Sequence, residues 1–185
     1  MKKLRKLNIY ELNRKSIDEY RKSPKLQVIV VLDNLRSLNN IGSIFRTCDA
    51  LNVESVFLCG ISATPPHPEI HKTALGAEDS VSWIYFDKTT DALKQLKEKG
   101  YEIFALEQTE NSLNLQYFDP KANIKYAFVF GNELKGVTQE ALDFCDSSLE
   151  IPQFGTKHSF NVSITAGIVI WDFFSKLNTK KKVLE

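Results

Sequence analysis

Cysteine is scarce in this chain, and long apolar runs are absent from it. The three cysteines, Cys48, Cys59 and Cys145, are widely separated, and no CxxC pair occurs. Isolated cysteines in odd number disfavour a disulfide framework, so we expect reduced and partly buried thiols. The longest apolar region, residues 160–174, is interrupted by polar residues and is too short to span a bilayer. The basic N-terminus lacks the apolar core of a signal peptide, and we therefore expect a cytoplasmic protein.

Three motifs of common enzyme classes are missing as well. No GxGxxG follows any predicted strand, which disfavours an oxidoreductase with an ordinary dinucleotide site. No GxxxxGK[ST] occurs, so a P-loop nucleotide site is not expected. No GxSxG occurs, which argues against a hydrolase of the nucleophile-elbow type. An oxidoreductase on a doubly wound sheet stays as a disfavoured alternative.

A metal site is a further alternative with little support. His67 and His71 stand four residues apart, a spacing that can hold zinc on a helix. Pro66 and Pro68 flank His67 and disfavour a helix there, and no third ligand is evident. We therefore predict no metal site.

Charge is distributed unevenly, although the net charge is only +1. Residues 1–25 hold nine Lys/Arg and three Asp/Glu, a net charge of +6. Residues 26–175 carry a net charge of −8, and residues 176–185 carry +3. A negative body with two basic ends predicts arms that contact a polyanion, whereas two solvated tails would have no partner.

Six apolar segments rich in β-branched and aromatic residues predict strands, and helical patterns separate most of them. The predicted strands are residues 26–32, 55–59, 81–86, 101–106, 126–130 and 148–152. This alternation predicts an α/β fold with a mostly parallel sheet and helices on both faces. The last helix is predicted over residues 159–177, and a short one near 138–145.

The N-terminal segment has helical signals of its own. Asn8 and Glu11 have the spacing of a capping box, and an apolar face continues to about Ser23. We therefore predict a basic helical arm over residues 1–25 and a single α/β domain over residues 26–185.

Polar segments follow several predicted strands, at the sheet edge where parallel sheets bind ligands. Three of them, in this order, resemble the SpoU/TrmH family of RNA ribose 2′-O-methyltransferases, within the SPOUT superfamily. The motifs are N-x-G-x3-R (Asn40, Gly42, Arg46), GNE-x-x-G (Gly131 to Gly136) and IP-x6-SFNVS (Ile151 to Ser163). The resemblance covers roughly residues 26–177. Phe160 and Leu134 depart from the usual Leu and Gly, but neither change removes a catalytic group.

The resemblance implies a fold, a cofactor and a partner. It implies a deep C-terminal trefoil knot, S-adenosylmethionine bound in that knot, and a homodimer formed partly through the last helix. The cofactor would be held by Leu106, Gly131, Ile151, Ser159 and Phe160. The catalytic residues would be Arg46, Asn40, Glu133, Ser159 and Asn161.

The expected chemistry centres on Arg46. Arginine stays protonated at any usable pH, so we expect Arg46 to clamp a phosphate and stabilise the developing ribose alkoxide. The resemblance gives Asn40 and Glu133 the task of orienting Arg46 and the ribose. It gives Ser159 and Asn161 the task of ordering the loop on the cofactor side.

The expected substrate is RNA, with tRNA favoured over rRNA. The short basic arm lacks the size of the separate RNA-binding domain found in many rRNA members. An rRNA 2′-O-methyltransferase and a non-catalytic RNA-binding protein of the same fold are the alternatives.

Overall fold

A parallel β-sheet forms the centre of the protein. The computed structural model describes residues 4–184, without the side chains of Ile9 and residues 179–184. In this part of the chain seven strands pair in the order β3-β2-β1-β6-β4-β7-β5, and every neighbouring pair is parallel. The strands are β1 Leu26–Asp33, β2 Val53–Cys59, β3 Ser82–Phe86, β4 Tyr101–Leu106, β5 Leu113–Asn114, β6 Lys125–Phe130 and β7 Ser147–Glu150. The predicted α/β fold with a mostly parallel sheet is confirmed, and only the two-residue strand β5 was missed.

Helices cover both faces of this sheet, as predicted. The helices are α1 Ile17–Lys22, α2 Leu38–Ala50, α3 Pro68–Ala74, α4 Ala77–Ser80, α5 Thr89–Glu98, α6 Gln139–Leu142 and α7 Val162–Leu184. Short 3-10 turns occupy Ile9–Leu12 and Leu115–Tyr117. One hydrophobic core lies under α2, α3, α4 and α7, and a second lies under α5 and α6.

Strand β1 shows why continuous apolar segments of the sequence predicted strands correctly. Val28, Val30 and Leu32 belong to the first core, whereas Ile29 and Val31 belong to the second. All five are at most 3% exposed. Because both faces of the strand are buried, its sequence is continuously apolar instead of alternating.

The single N-terminal helix predicted up to Ser23 is wrong. The capping box of Asn8 and Glu11 forms as predicted, but it starts only a 3-10 turn. Asn13 then adopts a left-handed conformation with φ of 45°, which ends that turn. Ser16 begins α1 with a second capping box. The local polar signals at Asn13 and Ser16 therefore override the apolar periodicity.

The expectation that prolines exclude a helix near His67 is also wrong. Pro68 is the first residue of α3, where its fixed φ and missing N–H cost nothing. His67 caps this helix, and its Nδ1 accepts from the Glu69 N–H at 3.2 Å. His71 Nδ1 lies 2.6 Å from Glu78 Oε1. Within residues 4–184, no group of three or more potential ligands could hold a metal ion.

The last helix begins later than predicted. Residues 159–161 lie before it, and α7 runs over Val162–Leu184. Asn161 terminates the preceding loop, because its Oδ1 accepts from the Ser163 N–H at 2.9 Å and its carbonyl accepts from the Thr165 N–H. None of the helices described in residues 4–184 is long and apolar enough to cross a membrane.

Cys48 and Cys59 are buried and Cys145 is partly buried, and all three are unpaired thiols. Burial raises the pKa of the Cys59 and Cys145 thiols to about 12. Thiols with such pKa values are protonated at neutral pH, so these cysteines are packing residues.

Candidate active site

A cavity of about 520 Å³ lies beyond the carboxyl ends of β4, β6 and β7. Its walls come from three segments that follow those strands, within residues 106–108, 130–137 and 149–165. The cavity is lined by all five residues expected to hold a cofactor: Leu106, Gly131, Ile151, Ser159 and Phe160. Strand β4 lies between β6 and β7 in the sheet although it precedes both in the chain, so the sheet topology is what brings these segments together.

Asn132 holds the turn that follows β6. It exchanges two backbone hydrogen bonds with Gly136, each 2.9 Å long. Its side-chain Oδ1 accepts from the Leu134 and Lys135 N–H groups at 3.0 and 3.2 Å. Its Nδ2 donates to the Asn34 carbonyl at 2.7 Å. Asn132 therefore shapes the turn and ties it to the end of β1, a role that the sequence analysis did not assign.

Gly131 is required by the chain itself. A Cβ atom at this position would lie 2.1 Å from the Gly136 carbonyl carbon and 2.1 Å from the Val137 nitrogen. Real Cβ atoms do not approach backbone this closely, so residue 131 has no room for a side chain. The turn folds back over Gly131, and this return forms one wall of the cavity.

Glu133 joins this turn to the N-terminus of α2. Its Oε1 accepts from the Ser37 N–H at 2.9 Å and from Asn40 Nδ2 at 3.0 Å. Its Oε2 accepts from the Arg36 N–H at 3.0 Å. Partial burial by itself raises the pKa of Glu133, but these hydrogen bonds outweigh it and lower the pKa below its usual value. Glu133 is therefore ionised at neutral pH, and it interacts favourably with the positive end of the α2 dipole.

Asn40 extends this contact to the third motif. Its Oδ1 accepts from Asn161 Nδ2 at 3.1 Å, while its Nδ2 donates to Glu133. Asn161 in turn directly precedes α7, and its Oδ1 accepts from the Ser163 N–H. One chain of hydrogen bonds thus joins Glu133, Asn40 and Asn161, each from a different sequence motif.

Arg46 lies apart from these residues. It follows Asn40 by six positions on α2, which corresponds to about 9 Å along a helix axis. Its side chain is exposed, and it lines a separate groove between α2 and α3. Among the described residues, the side chains of Asn40 and Glu133 bond to other groups and not to Arg46. The expected orientation of Arg46 by Asn40 and Glu133 is therefore not seen within one protomer.

Glu107 is a cavity residue that the sequence analysis missed. Its Oε2 accepts from the Val137 N–H at 3.0 Å, and its Oε1 accepts from the Gln108 N–H at 3.0 Å. Gly136, with φ of +69°, leaves the space that Oε2 occupies. The available signal was a charged residue directly after a buried strand, but its partner is 30 residues away.

Comparison with known proteins identifies the family. The sequence matches the SpoU rRNA Methylase family over residues 27–171. The chain belongs to this family. The membership confirms the predicted family and the predicted enzyme class, an RNA methyltransferase.

Related proteins agree with this assignment. The tRNA (guanosine(18)-2′-O)-methyltransferase of Thermus thermophilus is 29% identical over 165 residues, which are 88% of this chain and 81% of the relative. The crystal structure of the A. aeolicus TrmH/SpoU tRNA modifying enzyme has a TM-score of 0.77 at 27% identity, covering 88% of this chain and 80% of that one. The AdoMet-bound rRNA methyltransferase from Sinorhizobium meliloti has a TM-score of 0.74 at 25% identity, covering 86% of this chain and 60% of that one.

Proposed function

We propose that this SpoU-family protein transfers the methyl group of S-adenosylmethionine to a ribose 2′-OH of tRNA. The observation that carries the proposal is the single cavity built from the second and third motifs and joined to the first through Asn40. A tRNA substrate is favoured because the similar proteins from T. thermophilus and A. aeolicus are named for tRNA. A cytoplasmic location follows from this substrate.

The cavity suits the proposed cofactor in size and lining. Its volume of about 520 Å³ lies within the range of sites that enclose small molecules, roughly 300–1,000 Å³. Leu106, Ile151 and Phe160 offer apolar surface for the adenine ring, and Gly131 and Ser159 offer polar backbone groups. S-adenosylmethionine supplies an electrophilic methyl group, so this chain needs only to orient it.

Glu133 acts as a positioning residue in this proposal. A general base works best with a pKa near the operating pH, whereas the hydrogen bonds of Glu133 lower its pKa. Its carboxylate already accepts from Arg36, Ser37 and Asn40. The proton of the 2′-OH is therefore accepted by water or by a neighbouring phosphate, and Arg46 stabilises the developing alkoxide.

We also propose a homodimer formed through α7. Trp171 and Ile164 are apolar side chains that are 58% and 54% exposed on this helix. With Ile168 they follow the i, i+4, i+7 spacing of one helix face, and Phe174 packs on Trp171 with ring centroids 5.9 Å apart. Light scattering should give a mass of twice 21.1 kDa, and Trp171→Asp should give the monomer. A wild-type monomer at micromolar concentration would contradict the dimer.

The dimer gives Arg46 a site to act on. Helix α2 packs beside α7, so α2 lies next to the proposed interface. Arg46 then serves the cavity of the second copy, since it lies outside the cavity of its own protomer. Mixing Arg46→Ala and Glu133→Gln protomers should restore methyl transfer, because one cavity of the mixed dimer is intact. No recovery on mixing would contradict an arginine shared between copies.

The resemblance extends to the chain path. We propose that the segment between β7 and α7 threads through the loop after β6, forming the trefoil knot expected for the family. The two segments supply facing walls of the same cavity, which supports the proposal. An experimental structure in which residues 151–161 pass around that loop, and not through it, would refute the knot.

The basic arm divides into two parts. Residues 1–3 of the expected arm lie outside the described residues. Tyr20 is buried, and its hydroxyl donates to the Cys48 carbonyl at 3.3 Å, which supports assigning α1 to the domain. Residues 4–8 and 10–16, which precede α1, are exposed. We propose that this first part contacts RNA phosphates and that the catalytic domain begins near residue 16.

The proposed function is tested with purified protein and unmodified RNA transcripts. Tritium from labelled S-adenosylmethionine should enter tRNA faster than it enters a ribosomal RNA fragment. Transfer only to the ribosomal fragment would reverse the substrate assignment. Cofactor binding without transfer to any RNA would favour the non-catalytic alternative.

A further inference from the structure

A shallow groove of about 560 Å³ lies between α2 and α3, away from the cofactor cavity. Its polar lining consists of Arg46, Lys72, Ser43, Thr47 and Thr73. No acidic side chain is among the described residues that line it. The groove therefore combines two cations with no carboxylate among its lining residues, on a body whose net charge is negative.

Gly42 explains why the two helices are close enough to share a groove. A Cβ atom at this position would lie 2.3 Å from the Ile70 carbonyl oxygen and 2.1 Å from Thr73 Oγ1. The glycine of the first motif thus serves helix packing, and it brings Lys72 on α3 beside Arg46 on α2.

The two cations of the groove are available to a ligand. Arg46 is exposed, and within the described part of the chain its side chain makes no hydrogen bond or ion pair. Lys72 is 70% exposed in its side chain, and its Nζ lies 3.9 Å from Glu69 Oε2. An exposed pair at this distance contributes only a few tenths of a kcal/mol, so Glu69 competes weakly for Lys72.

The hydroxyl groups of the groove are already engaged. Ser43 Oγ donates to the Asn39 carbonyl at 2.8 Å, and Thr47 Oγ1 donates to the Ser43 carbonyl at 3.1 Å. Thr73 Oγ1 donates to the Asn39 carbonyl at 3.0 Å. These hydroxyls give the groove a fixed wall, and the two cations remain its main source of ligand contacts.

We propose that this groove binds a phosphodiester of the RNA substrate and that Lys72 is a second phosphate ligand beside Arg46. The inference rests on the proposed function. A guanidinium fork and an ammonium point charge together match the oxygens of one phosphate. With both cations on phosphate oxygens, the groove fixes the position of the RNA and does not read its bases.

The experiment measures tRNA affinity of the full-length protein at four salt concentrations. Each phosphate contact contributes about 0.7 to the log–log salt slope on single strands and about 0.9 on duplexes. Lys72→Ala should therefore reduce the slope by about 0.7–0.9, while Lys72→Arg should retain it. When the salt concentration is lowered from 1 M to 0.1 M, the tRNA affinity of the wild type should therefore rise about five- to eight-fold more than that of Lys72→Ala.

A matched control is Lys94→Ala, an exposed lysine on α5 at the opposite face of the sheet. Its slope should equal that of the wild type. Cofactor affinity and melting temperature should be unchanged in Lys72→Ala, which separates RNA binding from a structural effect. In the double variant Lys72→Ala/Arg46→Ala, the loss of tRNA affinity should be less than the sum of the two single losses, because both cations hold one phosphate.

The possible failures are distinguishable. If the wild type neither transfers methyl groups nor binds tRNA, the proposed function itself fails. If the wild type does both and Lys72→Ala keeps the wild-type slope, the groove proposal is overturned while the function stands. An unchanged slope with a weakened dimer would place Lys72 in the interface between copies, and strictly additive losses would place the two cations on different phosphates; either result overturns the proposal.

Discussion

Replacing Glu133 with glutamine should loosen the contact between the turn after β6 and the start of α2. The carboxylate accepts from the Arg36 N–H, the Ser37 N–H and the Asn40 amide at 2.9–3.0 Å. Glutamine keeps one acceptor oxygen, and its NH₂ group must face at least one of these donors. The substitution therefore removes at least one hydrogen bond and leaves a donor opposite a donor.

The size of the effect follows from the number and kind of bonds. A hydrogen bond to a charged group contributes about 1.5–3 kcal/mol, and partial exposure of Glu133 reduces that to about 1–2 kcal/mol here. For a chain of this length, 1 kcal/mol lowers the melting temperature by about 2–4 °C. We expect Glu133→Gln to melt about 2–8 °C below the wild type at pH 7.

The pH dependence provides a second test of the same bonds. The hydrogen bonds lower the folded-state pKa of Glu133 below its unfolded value of about 4.3. This stabilisation is fully present above the unfolded pKa and is lost as the pH falls through the folded pKa. The difference in melting temperature between the wild type and Glu133→Gln should therefore be constant from pH 7 to pH 6. It should disappear as the pH falls through the folded-state pKa of Glu133.

Glu140→Gln is the matched control, because Glu140 is exposed on α6. It should melt with the wild type at every pH. If Glu133→Gln also melts within 1 °C of the wild type at pH 7, the carboxylate does not hold the start of α2 and the reasoning is refuted.

Substitutions at three other positions test separate parts of the structure. Gly131→Ala should cost about 3 kcal/mol or more and abolish cofactor binding, since a Cβ atom would collide with the Gly136–Val137 backbone. Arg46→Ala should reduce methyl transfer by about a hundred-fold or more and leave cofactor affinity within a few-fold, and Arg46→Lys should also fail. Tyr20→Ala should lower stability by about 3 kcal/mol, because its ring is buried against the first core.

The glycine and tyrosine substitutions each have a matched control. Gly155→Ala adds a Cβ atom in open space and should be neutral, so equal melting of both glycine variants would refute the packing argument. Tyr20→Phe keeps the ring and should lose little stability. Removing residues 1–14 should flatten the salt dependence of RNA binding and leave the melting temperature unchanged. An unchanged slope would show that this segment does not contact phosphates. Full activity of Arg46→Ala would exclude its electrostatic role.

The sequence predicted the strands correctly where both faces of a strand are buried. Strand β1 is apolar throughout because both of its faces are covered, and this pattern is independent of long-range contacts. Strand β5 has only two residues, Leu113 and Asn114, and exists because β7 lies beside it. No local pattern predicts a strand of that kind. The prediction of one N-terminal helix was wrong for the opposite reason. This segment makes few apolar contacts, so the local conformations of the polar residues Asn13 and Ser16 determine where its helical turns begin and end.

The sequence predicted which residues belong to the site, but it did not predict how they are arranged. The second and third motifs identified four of the five expected cavity residues, and the structure places these four and Leu106 around one cavity. Asn40 of the first motif joins the site through hydrogen bonds to Glu133 and Asn161. Arg46 is the exception, although helix geometry already contained the signal. A residue six positions after Asn40 lies about 120° around the helix, so the two side chains diverge. Lys72 and Glu107 belong to none of the motifs. The position of Lys72 depends on the packing of α3, and that of Glu107 depends on the packing of the turn after β6.

The most direct test is to locate the transferred methyl group. Unmodified tRNA is incubated with the protein and labelled S-adenosylmethionine, and the product is then hydrolysed in alkali. A methylated ribose 2′-OH cannot attack its own phosphodiester, so the label should appear in an alkali-resistant dinucleotide. The proposed function predicts this product from the wild type and its loss in Arg46→Ala. Label released in a mononucleotide would place the methyl group on a base and contradict the assignment.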